Sequence, residues 1–82
     1  MNGCIIMAIN SNGDLFFISN TGPILWTGEK SDAKIFRKIS TAKSELEENK
    51  TSLSETIMYC NIVEITIIEY KNGTEIGREK FL

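Results

Sequence analysis

The chain is predicted to be one α+β domain: an antiparallel sheet of four to five strands, in the order β-β-(β)-α-β-β, with one helix packed on one face. Three observations predict this. Asn12-Gly13 and Asn72-Gly73 each sit between segments of strand character, and an Asn-Gly pair so placed is a strong short hairpin signal. Ala33, Phe36, Ile39, Ala42 and Leu46 recur at intervals of three and four, the spacing of a helix that buries one stripe. Residues 57–70 alternate with a period of two, as a half-buried strand does.

Taken in order, Cys4–Ile9 is a continuous apolar run and predicts a strand covered on both faces. Asn10–Asp14 is the turn and Leu15–Ile18 the returning strand. Asn20-Thr-Gly-Pro23 predicts a second turn, since glycine frees φ and proline fixes it. Ile24–Thr27 is a candidate third strand. Two readings of the helical region stay open. One is a single helix from Asp32 to about Asn49, capped by Ser31. The other is a turn at Ser31–Lys34, an extended Ile35-Phe36, then a helix capped by Ser40. The β-branched Ile39 and Thr41 beside Ser40 favour the broken version. Thr51–Glu55 is expected to be polar loop. Ile57–Tyr70 is expected to be one long strand. Val63, Ile65 and Ile67 take one face of it, and Met58, Cys60, Ile62, Glu64, Thr66, Ile68 and Tyr70 the other. Glu75–Leu82 carries four charges among its first six residues, as edge strands do.

Eighty-two residues fit one domain, 1–82, with no repeat and no linker. With no histidine and only two cysteines, Cys4 and Cys60, the chain cannot assemble a closed zinc site. Both cysteines lie in apolar runs and are expected to be small buried hydrophobes with free thiols, in a reducing compartment. The run Cys4–Ile9 is too short for a signal-peptide core, and nothing approaches a membrane span. A cytoplasmic location is the expectation, so the Asn49-Lys-Thr51 and Asn72-Gly-Thr74 sequons are read as coincidence.

Chemistry is scarce. The lack of histidine removes Ser–His and Cys–His nucleophile systems and the usual general base near neutral pH. Glu45, Glu47 and Glu48 read as a solvated helix face rather than a carboxylate pair. Glu64 and Glu69 read as salt-bridge or interface positions in a mostly apolar strand. The glycines lack the spacing of a phosphate loop. No catalytic residue, cofactor or metal is expected, and the chain is not expected to be an enzyme.

The net charge of −2 hides an asymmetry. Residues 30–43 carry an excess of four positive charges, and residues 44–70 an excess of five negative ones. If residues 34–38 are helical, Lys34, Arg37 and Lys38 form one basic patch, fit for an acidic protein surface or for nucleic acid. No aromatic residue is interleaved to stack on bases, since Phe36 is assigned to the core. Apolar residues also exceed what one helix can cover. Ile6, Ala8, Phe16, Ile18, Ile62, Ile68 and Tyr70 all lie on strand parities opposite another apolar set. That surplus face must curl on itself, be covered by a second copy as a homodimer, or be offered to a foreign protein. Candidate partner-binding residues are therefore Lys34, Arg37, Lys38, Ile62, Glu64, Ile68 and Tyr70.

Trp26-Thr27, Ala33-Lys34-Ile35-Phe36, the serine-capped helix and Val63-Glu64-Ile65 together resemble a group of small phage and mobile-element proteins. In these, a hairpin leads to a "W-T … A-K-x-F" segment, a helix and a following strand. The resemblance covers roughly residues 5–67. The chain departs from it in a longer loop at 49–56 and a charged last strand. The resemblance implies that Trp26 and Phe36 cap the core and that Ala33 permits close packing. It also implies binding and inhibition of a host protein in the host cytoplasm. The abundance of isoleucine, asparagine and lysine, with seven lysines to two arginines, fits an AT-rich genome. A stoichiometric binding protein is the leading expectation; a nucleic-acid-binding module using residues 30–43 and a self-assembling structural protein are the alternatives.

Overall fold

The computed structural model describes residues 1–20 and 26–82. Asn10 shapes the first hairpin with its own side chain. Its Oδ1 accepts the backbone N–H groups of Asn12 at 3.0 Å and Asp14 at 2.8 Å. Gly13 then takes φ 84°, which costs glycine little. Strands β1 (Gly3–Asn10) and β2 (Leu15–Ile18) pair antiparallel across this turn, Met7 opposite Phe17. Asn72 and Gly73, at φ 52° and 79°, make the second hairpin between β4 (Ile62–Lys71) and β5 (Thr74–Lys80). With β3 (Trp26–Thr27), the sheet runs β3-β2-β1-β4-β5, every neighbour antiparallel. The apolar strands β1 and β4 are central and the charged β5 is an edge, so the α+β class holds as expected. The turn at residues 21–23 and the strand residues 24–25 fall outside the described residues.

Between β3 and the helices the chain follows the broken reading. A 3₁₀ turn (Lys30–Asp32) precedes an extended segment, and α1 spans Ile39–Glu48. Lys38, not Ser40, occupies the N-cap, and no side chain caps the helix. Ile39 packs against the core, and that contact draws the helix start one residue ahead of the better capping residue. Residues 51–55 are not loop. They belong to a second helix, α2 (Lys50–Cys60), separated from α1 by Asn49 alone. Thr51, Ser52 and Ser54 are exposed, while Leu53 is buried and Ile57 packs against the same core. These two extend the stripe of Ala42 and Leu46 at helical spacing. Met58 and Cys60 are consequently helical. The expected long strand begins only at Ile62, after Asn61 closes α2 in the left-handed conformation with its N–H on the Ile57 carbonyl.

Both helices lie on one face. The larger core under them gathers Cys4, Ile6, Ala8 and Ile18 from β1 and β2, Ile62, Ile65 and Ile67 from β4, and Phe36, Ala42, Leu46 and Leu53. Val63, expected on one face with Ile65 and Ile67, is 60% exposed while those two are buried. Ile62 takes the inner position instead. The register slips by one residue where Ile9 and Asn10 meet the start of β4, and a slip of one exchanges faces.

On the opposite face, the chain itself contributes a further segment to the sheet. Beyond Met7 and Ile18 the strands β1 and β2 part, and residues 33–36 enter the gap. Lys34 donates its backbone N–H to the Ile18 carbonyl at 2.8 Å, and Ala33 pairs with Ser19. Phe36 exchanges two backbone hydrogen bonds with Cys4, at 2.7 and 2.8 Å. Ala33 joins a smaller cluster with Ile5, Met7, Phe17 and Ile68 on one face, whereas Phe36 enters the larger core on the other. Residues 33–36 thus form a short crossing segment within the sheet between β1 and β2, with alternate side chains on its two faces. Of the surplus residues, Ile6, Ala8, Ile18 and Ile62 lie in the larger core, with Phe16 packed against it. Ile68 and Tyr70 belong to the smaller cluster.

The cysteines separate too. Cys4 is fully buried in β1 and Cys60 is exposed at the end of α2, so the expectation of two buried thiols holds for one. Burial, and secondarily the Glu69 carboxylate, pushes the Cys4 thiol above its ordinary pKa. A thiol-specific disulfide reagent should therefore modify one thiol quickly in the native protein, and Cys60→Ser should remove that reaction. Cys4 should react only in denaturant. Fast native modification of Cys60→Ser would contradict this placement.

Candidate interaction surfaces

The three basic residues do not assemble into a helical patch. Lys34 lies in the extended crossing segment, where its Nζ donates to Glu45 Oε1 at 3.0 Å and stands 5.2 Å from the centre of the Phe36 ring. Arg37 and Lys38 connect the crossing to α1. Both are exposed and neither makes an ion pair among the described residues. They precede a helix start with no acidic residue in its first turn, so the macrodipole adds to their positive charge. Lys43 is ion-paired with Glu79, whose hydrogen bond and charge raise its pKa.

Of the strand candidates, Ile62 and Ile68 are 6% and 2% exposed, Ile62 within the larger cluster and Ile68 within the smaller. Glu64 is half-buried and accepts a hydrogen bond from Thr66 Oγ1 at 3.3 Å. Tyr70 is also half-buried, and its hydroxyl accepts from Lys30 Nζ at 2.8 Å. On the same face Arg78 grips Glu75 through its guanidinium Nε and Nη2, at 2.7 and 2.8 Å, and holds that carboxyl below its ordinary pKa. Glu64 and Tyr70 therefore belong to a polar fringe around the smaller cluster.

A different surface escaped the sequence reading. Met58 is 73% exposed and Tyr59 83%, both on the last turn of α2, and exposed Val63 follows just past Asn61. The helix beneath them is fixed at both ends of its second half. Leu53 and Ile57 anchor it to the sheet, and Ser11 of the first hairpin donates its N–H to the Asn61 carbonyl at 2.9 Å. Glu55, Met58 and Tyr59 stand at i, i+3 and i+4 and so share one face. One signal could have found them: continuing the stripe from Leu46 to Leu53 and Ile57 turns Tyr59 outward.

Among the described residues no cluster of three or more His, Cys, Asp or Glu side chains is placed to hold a metal ion, and no pocket opens. No helix among them is long and apolar enough to cross a membrane. Compared with protein-family models, curated proteins and solved structures, the chain has no match.

Proposed function

We propose that the chain is a small binding protein that acts by stoichiometric contact with another protein, inhibiting or redirecting a host macromolecule in the host cytoplasm. The observation that carries this reading is the exposure of Tyr59 and Met58 on an anchored helix. Large side chains in water cost solvation, whereas a rigidly held aromatic is the commonest kind of interface anchor. Methionine beside it adapts to the shape of a partner. The lack of histidine, and the resemblance to small phage proteins that bind host proteins, point the same way.

The test is affinity purification from a bacterial lysate with the tagged chain, followed by titration of the recovered protein. The expected outcome is a saturable one-to-one complex at micromolar concentration or tighter; recovery of no partner removes the reading. A second reading, nucleic-acid binding, is favoured by the exposure of Arg37 and Lys38, and weakened by the pairing of Lys34 with Glu45. Two free cations predict a log–log salt slope of about −2 for duplex DNA. Anisotropy titrations with labelled DNA and RNA that show no binding at low salt would remove it.

A further inference from the structure

We infer that the outer face of α2 and its turn into β4 is a docking surface for a basic amphipathic segment of a partner protein; this rests on the binding reading above. The argument is one of charge and shape. Apolar side chains on this surface are Met58, Tyr59 and Val63, all more than half exposed. Glu55 shares their face of α2, and Glu47 and Glu48 are exposed at the end of α1; none of the three is ion-paired among the described residues, and Lys50 is the one cation on α2. A surface that offers methionine and an aromatic beside an unpaired carboxylate complements a helix with apolar anchors on one side and Lys or Arg flanking them.

A second copy of the chain fits this surface poorly. A two-fold contact through α2 would bring Glu55 of each copy toward the other's acidic residues, and like charges in an interface cost affinity. Nucleic acid is repelled by the same carboxylates. A foreign basic segment is the occupant that gains from both features at once.

The probe is a synthetic Leu/Lys amphipathic peptide, titrated into the isotopically labelled full chain, with a Leu/Glu peptide of the same pattern as control. Amide shifts should cluster at Glu55, Met58, Tyr59 and Val63, and the Leu/Glu peptide should leave them unmoved. Tyr59→Ala should weaken binding at least tenfold, and Glu55→Lys should do so in a salt-dependent way. Both residues are exposed, so both variants should keep the native circular dichroism. No shifts at millimolar peptide, shifts centred on Arg37 and Lys38, equal binding of the Leu/Glu peptide, or dimerisation through α2 would each overturn the assignment. The lysate experiment separates this failure from failure of the binding reading itself. A recovered partner that binds Tyr59→Ala with undiminished affinity removes the surface and leaves the function. Peptide binding with no lysate partner leaves the surface and removes the function.

Discussion

Phe36→Ala is expected to destabilise the protein by about 3–5 kcal/mol, the range for emptying a buried aromatic site. A domain of this size has roughly 4–12 kcal/mol in total, so the loss removes about a quarter of its stability or more. The reason lies in what Phe36 joins. Its ring is 4% exposed and sits in the larger core, while its backbone fills the ladder position beside Cys4 that β2 has vacated. Truncation leaves a cavity at the point where three segments converge, and neither β1 nor β2 can close over it without breaking the crossing. Urea unfolding followed by circular dichroism measures the effect as a lower midpoint with little change in slope. Phe36→Leu should recover most of the loss. A Phe36→Ala cost below about 1 kcal/mol would mean that the crossing does not hold the two faces together.

The crossing also marks where sequence reading succeeded and where it ran out. Hairpins are local: an Asn-Gly turn is specified by the conformational freedom of two residues, and both turns formed where expected. The break before α1 was legible for a similar reason, because Ile39 and Thr41 disfavour a helix centre. Residues 33–36 pair with Cys4 and Ile18, partners far away in the chain, and no local pattern announces that a segment will enter a sheet between two strands. This is why the surplus apolar face looked uncovered, when Ala33 and its neighbours close part of it. Helix α2 was missed for a subtler reason. Its Thr and Ser residues have weak helix propensity, and tertiary burial of Leu53 overrides them. With α2 read as loop and strand, Tyr59 had no face assigned to it. A strand pattern over 57–70 therefore points to Ile62 and Ile68 as surface residues rather than to Met58, Tyr59 and Val63.

Gly3→Ala should be costly out of proportion to its size, by about 3 kcal/mol or more. Two separate penalties meet there. Gly3 holds φ 133°, a conformation that side chains rarely adopt. A Cβ at this position would also stand 2.5 Å from the Phe36 carbonyl oxygen and 2.8 Å from Ile35 Cγ2. The first obstacle is backbone, and that same carbonyl accepts the Cys4 N–H at 2.7 Å, so it cannot retreat without loosening the crossing. Two further glycines separate the terms. Gly13 has φ 84° but nothing within 4 Å, so Gly13→Ala should show the conformational cost alone, about 1 kcal/mol. Gly28 has neither a positive φ nor a close neighbour, and Gly28→Ala should be neutral or slightly stabilising. The expected order of unfolding midpoints is Gly28→Ala highest, then Gly13→Ala, then Gly3→Ala. If Gly3→Ala matched Gly13→Ala, the Phe36 carbonyl would have to yield freely, and the crossing could not be the rigid seam that these hydrogen bonds describe.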